Sequence, residues 1–366
     1  MKNNRRSWLK QTSLVFAGLS LAPLKNFALD TTPSNNKPGG DPIRLNANEN
    51  PYGPSPLARK AMAEAINISN RYQWTSGTEL ISAIATKKNV TADNILIGAG
   101  STEILDLVIQ YVALKKGSFV LADQTFSPWA KTAEKLGLQE ITVPLTITKE
   151  YDLPLLLKAI KEDTRMVHIC NPNNPTGATC NKDMLLSFVK EVSKKVIVLV
   201  DEAYIDYADQ SSLTPFVNEN KNLIITKTFS KIYGLAGARV GYALAHANTI
   251  DQLSQLQTWA NGGVSAVSLA GALASLKDND FVNSCYSLNE KVRKFTIDRL
   301  ESLNIRCIPS SSNFIYFSLS KYKKDFFNQL KSNNIIGTRI YEENGRWSRI
   351  TVGTMQEMQK FIKAIE

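Results

Sequence analysis

Five short segments of this 366-residue chain gather residue types that can do chemistry together. Gly98-Ala99-Gly100-Ser101-Thr102-Glu103 follows a short strand candidate and opens a helical pattern. Glycines let backbone approach a ligand, and helix-start N–H groups beside two hydroxyls make an anion cradle. Asn171-Pro172-Asn173-Asn174-Pro175-Thr176-Gly177 is a run of turn formers. Asp201-Glu202-Ala203-Tyr204 ends the most apolar strand candidate, where a semi-buried carboxylate needs a cationic partner. Thr228-Phe229-Ser230-Lys231 and Gly234-Leu235-Ala236-Gly237-Ala238-Arg239 set one lysine in a glycine-rich, low-charge stretch. Such an amine can have a lowered pKa and form a Schiff base with a carbonyl. Taken singly, each segment has a plainer use: a helix N-cap, a turn, a second N-cap, a solvated loop lysine.

The elements that would position these segments alternate. Strand candidates are Asn94–Ile97, Phe119–Ala122, Ile141–Pro144, Met166–Cys170, Val196–Val200, Leu223–Thr226 and Val240–Ala245. Helical spacing falls between them, as in Ile104, Leu105, Val108, Tyr111 and Val112. Val196–Val200 is wholly apolar, as a strand buried on both faces requires. The alternation predicts an α/β fold, a mostly parallel seven-stranded sheet sandwiched by helices. In such sheets ligands bind beyond the carboxyl ends of the strands, which is where the polar segments fall. After about residue 250 the pattern changes to long helices (Ile250–Trp259, Ser265–Lys277, Asp280–Leu303) and isolated strands (Asn313–Phe317, Arg349–Val352). That predicts a smaller α+β domain at the C-terminus.

Composition excludes several classes. A hydrophobic content of 43% is ample for a core and rules out a disordered chain. Two histidines, His168 and His246, exclude a His-built metal site, and no Cys-x-x-Cys is present. Four cysteines exclude a disulfide scaffold. The net charge of +10 invites a nucleic-acid reading, but residues 1–28 hold five basic residues and no acid, which leaves +5 over the other 338. Those 28 residues read as an export leader: a basic head with Arg5-Arg6, then a weakly apolar stretch from about Ser13 to Leu24. The stretch is too short to span a bilayer, so contact with a membrane is expected only during export.

The order and spacing of the segments closely resemble the aspartate-aminotransferase superfamily (class I/II) of pyridoxal-phosphate enzymes, and within it the histidinol-phosphate aminotransferase branch. The marks run from Leu45-Asn46-Ala47-Asn48-Glu49-Asn50-Pro51 through Asn174-Pro175-Thr176-Gly177, Asp201-Glu202-Ala203-Tyr204, Ser230-Lys231 and Arg239 to Arg349-Ile350-Thr351-Val352-Gly353-Thr354. The intervals of 27 residues from Asn174 to Asp201, 30 on to Lys231 and 8 on to Arg239 are those of the family. The leader similarly resembles a twin-arginine signal, Arg5-Arg6 preceding Trp8, Leu9 and Lys10, which implies a periplasmic location.

The resemblance implies a role for each matching residue. Lys231 resembles the lysine that forms the internal aldimine with pyridoxal 5'-phosphate and then moves a proton. Asp201 would pair with the pyridine nitrogen, and Asn174 and Tyr204 would hydrogen-bond the ring 3-oxygen. Ser101, Thr102, Thr228, Ser230 and Arg239 would bind the phosphate, joined by Tyr72 from the partner subunit of a homodimer with shared active sites. Phe126 stands where the family usually stacks Tyr or Trp on the ring. Arg349 would grip the substrate's anionic group, Arg339 a second one, and Asn50 belongs to the substrate corner. The implied organisation is a leader (1–28), a linker (29–43), an N-terminal arm (44–72), a large cofactor-binding domain (73–258) and a small domain (259–366). The expected activity is transfer of an amino group between an amino acid, or histidinol phosphate, and a 2-oxo acid, without metal or nucleic acid. The alternatives are a decarboxylase or lyase on the same scaffold, and a binding protein that keeps the site without turnover.

Overall fold

The computed structural model describes residues 41–259 and 263–366. The expected leader, and the expected linker up to residue 40, lie outside the described residues. In chain order the strands are β1 (Ile43–Arg44), β2 (Ile95–Gly98), β3 (Gly117–Ala122), β4 (Leu138–Val143), β5 (Thr164–Cys170), β6 (Ile197–Asp201), β7 (Leu223–Thr228), β8 (Gly241–Ala245), β9 (Phe314–Ser318), β10 (Ile335–Ile336), β11 (Ile340–Glu342) and β12 (Trp347–Thr351).

Seven of these form one sheet in the order β2-β8-β7-β6-β5-β3-β4. Every neighbouring pair is parallel except the two that β8 makes, with β7 and with β2. The carboxyl ends of β2, β5, β6 and β7 therefore share one edge, and β8 starts from that edge. The strands that carry the polar segments all pass their cargo to this one side.

Alternation along the strands divides the core in two. Val198 and Val200 of β6, with Val167 and Ile169 of β5, face one apolar layer. Ile197 and Leu199, with Met166, face the other. The helix Ser101–Ala113 covers the second layer through Ile104, Leu105, Val108, Ile109 and Val112, one stripe of a 3.6-residue period. The helix Ala266–Lys277 covers the first through Leu269, Ala272 and Leu276. That helix therefore packs with the large sheet, beyond the boundary expected at 258/259.

A third core forms on the antiparallel sheet β11-β12-β9. Ile315, Phe317 and Ile350 pack there against Met358, Phe361 and Ile362 of the helix Met355–Ile365. Thr354 and Glu357 cap that helix reciprocally, so the Arg349–Thr354 motif ends in a firm helix start. The short strand β1 pairs with β10, and Leu45 sits in this third core.

Boundaries differ from the sequence expectation by one to three residues in the strands, and by more in one helix. The expected helix Ile250–Trp259 runs instead from Ala247 to Ser254. Beyond the stop, the Gln257 side-chain amide turns inward to donate to Ile97 O (3.0 Å) and Glu103 Oε1 (2.9 Å).

Candidate active site

At the shared edge of the large sheet a cavity of about 250 Å³ is lined by Ser101, Thr102, Asp201, Thr228, Ser230 and Arg239, with Phe126, Asn174, Tyr204 and Lys231 at its border with a second space. Its inner end is built by two strand exits. The turn after β2 delivers Ser101 and Thr102 as the first residues of a helix, whose leading N–H groups have no partner within the helix. Gly100 before them has φ +82°, and a Cβ there would lie 2.2 Å from Arg239 Nη2. Only glycine lets the guanidinium reach the helix start.

After β7, Ser230 N donates to Thr228 Oγ1 (3.1 Å), and Thr228 Oγ1 donates to Ser230 Oγ (2.9 Å). Arg239 donates to Ser230 Oγ (3.2 Å) and Ala236 O (3.0 Å), and lies 3.5 Å from Thr102 Oγ1. Among the described residues no carboxylate lies within ion-pair distance of Arg239. Hydroxyls, helix-start amides and an uncompensated guanidinium make this end a receptor for an anion.

Asp201 closes β6 and is 2% exposed. One carboxylate oxygen accepts from Ala203 N (3.1 Å). Burial pushes this carboxyl up to about 6, only partly offset by the Ala203 hydrogen bond and the charge of Lys231. It is a buried acid that a cation would stabilise as carboxylate.

Lys231 Nζ donates to Ala47 O and Asn48 O (both 3.3 Å) and lies 5.4 Å from the centroid of the Tyr204 ring. Burial, then the positive charges of Arg349 and Arg239, bring its ammonium down to about 8, against the pull of Glu49 and Asp201. The Tyr204 hydroxyl accepts from Asn48 Nδ2 (3.0 Å) and Asn174 Nδ2 (3.3 Å), and burial holds its pKa above the usual range.

The second space, about 660 Å³, shares Phe126, Asn174, Tyr204 and Lys231 with the first and continues outward to Arg339 and Arg349. Arg349, 7% exposed on β12, donates to Asn174 Oδ1 (2.5 Å) and Asn46 O (2.9 Å). Its Nε is buried and has no hydrogen-bond partner among the described residues. Arg349 lines this cavity, and a guanidinium there suits a carboxylate or phosphate. Arg339 lies over the Tyr341 ring, 5.2 Å from its centroid.

One expected site residue is placed elsewhere, and a second was expected to serve the partner subunit. Asn50 lines neither cavity: its amide donates to Ile232 O (2.8 Å) and Cys285 Sγ (3.3 Å), and its Oδ1 accepts from Tyr52 N (3.0 Å). These bonds anchor the N-terminal segment, and the substrate-binding expectation for Asn50 is corrected. Asn48, two residues earlier, takes the place in the cavity. Its backbone is left-handed (φ +53°), which asparagine tolerates, and this aims its amide at Tyr204. The signal was the same motif; alternation of facing was the missing information. Tyr72 is 72% exposed and rests on Trp259, 4.9 Å between ring centroids, away from this chain's own cavity. Sequence reasoning also passed over Asp123, Lys131 and Tyr341, which line the outer space.

The donor set fits pyridoxal phosphate: an anion cradle, a buried acid for a pyridine nitrogen, hydrogen-bonding amides and a phenol, and a buried amine of lowered basicity. The comparisons agree. The family model described as Aminotransferase class I and II matches residues 40–365. Histidinol-phosphate aminotransferase 2 of Nitrosospira multiformis is 36% identical over 328 residues, covering 88% of this chain and 83% of that one. Histidinol-phosphate aminotransferase of Moorella thermoacetica is 36% identical over 331 residues, covering 89% and 85%. The crystal structure of histidinol-phosphate aminotransferase from Sinorhizobium meliloti in complex with pyridoxal-5'-phosphate is similar with a TM-score of 0.82 at 25% identity, covering 89% of this chain and 90% of that one. From residue 40 to its last turn, then, the chain belongs to the class I and II aminotransferases, enzymes that move amino groups with pyridoxal 5'-phosphate.

Proposed function

We propose that this aminotransferase takes a donor that carries two negative charges, as two carboxylates or as one phosphate, and passes its amine to a 2-oxo acid. The observation that carries the reading is the outer cavity, where Arg349, Arg339 and Lys131 face a single acid, Asp123. A dicarboxylate such as glutamate satisfies two arginines. A phosphorylated amino alcohol, the kind of donor in the relatives' names, does so as well, because the oxygens of one phosphate can accept from both guanidinium groups.

The bound cofactor would supply an aldehyde to hold the amino group and a ring to draw off electrons at Cα. The chain's residues do the rest. Ser101, Thr102, Thr228, Ser230 and Arg239 hold the phosphate. Asp201 keeps a proton on the pyridine nitrogen, which makes the ring a better electron acceptor. Tyr204, Asn174 and Asn48 would hold the ring oxygen, and Phe126, which lines both spaces, would pack on the ring. Arg349 would fix the substrate, and the Lys231 amine would move a proton at Cα.

Arg349→Ala is expected to weaken every donor by about 2–5 kcal/mol, the range for losing one partner of a buried charged pair. Arg339→Ala should weaken doubly anionic donors and spare singly anionic ones. Steady-state kcat/KM on glutamate, histidinol phosphate and an aromatic amino acid checks both. Equal losses on all donors in Arg339→Ala would remove Arg339 from the specificity argument.

Two further readings belong with this one. The exposed Tyr72–Trp259 pair supports a homodimer in which Tyr72 completes the partner's phosphate site. Mixing inactive Tyr72→Ala and Lys231→Ala proteins should then restore activity, because some heterodimers carry one intact site; no recovery after verified subunit exchange would refute it. The Arg5-Arg6 leader supports twin-arginine export to a periplasm. Arg5→Lys with Arg6→Lys should retain the protein in the cytoplasm with its leader intact, read by fractionation.

A further inference from the structure

Behind the cofactor cavity, on the other face of the sheet, lies a cluster of charges that none of the roles above uses. Asp201 pairs in register with Thr226, so the next residues along each chain, Glu202 and Lys227, point to the opposite face. There Lys227 Nζ lies 3.5 Å from Glu202 Oε2 and 3.7 Å from Asp206 Oδ1. The side chains of Lys227 and Glu202 are only 3% and 2% exposed. Glu202 is held further by Leu213 N (2.8 Å) and Ser212 Oγ (2.5 Å). Val200, Tyr207, Leu213, Ile225 and Phe229 belong to the apolar core on this same side of the sheet.

A buried charge cluster of this kind is weak evidence for stability, since apolar residues of like volume commonly serve as well or better. Its placement gives it another use. Glu202 and Asp206 stand on either side of Ala203-Tyr204-Ile205, and Asp206 lies in the short turn Ile205–Tyr207 that follows Tyr204. Lys227 sits one residue before Thr228 and four before Lys231.

We infer that Lys227 is a positioning residue: by gripping Glu202 and Asp206 it holds Tyr204 and Asp201 in register with the Lys231 loop that leaves its own strand. The inference rests on the roles proposed above for Tyr204 and Asp201. The charged groups that face Lys227 are Glu202, Asp206 and Lys88, whose ammonium is brought down to about 8 by the Lys227 charge and by burial. Those that act on Lys231 are Asp201, Glu49, Arg239 and Arg349.

The test uses the holoenzyme of Tyr204→Phe, Lys227→Met, Lys227→Arg and Asp206→Asn. Three readouts are taken: the pH midpoint of the visible band of the lysine-bound cofactor, kcat against KM for the donor, and the unfolding temperature. Tyr204→Phe should raise the pH midpoint, because a hydrogen bond to the ionised ring oxygen is lost. Lys227→Met should raise it in the same direction by about one unit, a tenfold change in the titration. It should also lower kcat about tenfold with KM within about twofold. Lys227→Arg should restore both. If Lys227→Met fails to fold, Asp206→Asn reads the same quantity, because it releases one side of the grip. A lowered unfolding temperature with an unmoved midpoint and kcat in the folded variants would overturn the inference and leave the cluster merely structural. An unmoved midpoint in Tyr204→Phe would instead strike the role of Tyr204 itself and remove the reason for the grip.

Discussion

Lys231→Ala is expected to lose the cofactor adduct that borohydride fixes in the wild-type protein, and with it nearly all turnover. The amine of Lys231 is set up for this by its surroundings. Its hydrogen-bond partners are the carbonyls of Ala47 and Asn48, and among the described residues no carboxylate lies within ion-pair distance to hold it as an ammonium. Only the neutral amine attacks a carbonyl. With an ammonium that titrates at about 8 rather than the ordinary 10.5, roughly a tenth is neutral at pH 7, against about one part in three thousand for a solvated lysine. The sign follows: capture of added cofactor by the apoprotein should speed up as pH rises and level off above about 8. Lys227 cannot substitute, because it is 2% exposed and paired with Glu202 and Asp206, whose charges hold its pKa above the ordinary value against the cost of burial. Peptide mapping of the reduced adduct checks the assignment, and an adduct on Lys227 would refute it.

The second large effect concerns Asp201. Asp201→Ala should still retain the cofactor, which keeps its phosphate contacts and its link to Lys231. Proton removal from Cα should slow by several orders of magnitude, since the pyridine nitrogen loses the carboxylate that keeps it protonated. A buried acid pushed up to about 6 gains from a cation beside it, and that coupling is what the substitution removes. Single-turnover kinetics with a Cα-deuterated donor isolate the step; wild-type rates in the variant would end the assignment.

The succession of strands along the chain could be read from its apolar runs, and with it the place of Ser101, Thr102, Asn174, Asp201, Thr228, Ser230 and Lys231 just beyond strand ends; Arg239, which precedes its strand, and the joining of these residues into one site came from the family resemblance, and the order of strands within the sheet could not be read. What could not be read was facing. Asn48 and Asn50 have the same chemistry two residues apart, and only the left-handed turn at Asn48 decides which one meets Tyr204. The outer cavity was equally hidden. Asp123 and Lys131 come from one side of the large sheet and Tyr341 from β11, about two hundred residues later, so nothing local links them. The fate of helix Ala266–Lys277 was hidden for a related reason. A change in local pattern marks a new kind of segment, but it does not say which core that segment joins.

The reversed strand β8 also sets a length. It stands between β2 and β7, and neighbouring strands lie about 4.8 Å apart, so the two strand ends that flank it are separated by roughly 10 Å. β8 enters this gap with Gly241, where a Cβ would fall 2.3 Å from Ser101 N and 2.9 Å from Lys227 O. At Gly241 main chain thus packs on main chain with no side chain between. The width of that one strand sets how far the Ser101 and Thr228 arms of the anion cradle stand apart. Changes elsewhere around the cavity can alter what holds the anion while this spacing stays, whereas a methyl group at residue 241 would force the two arms apart.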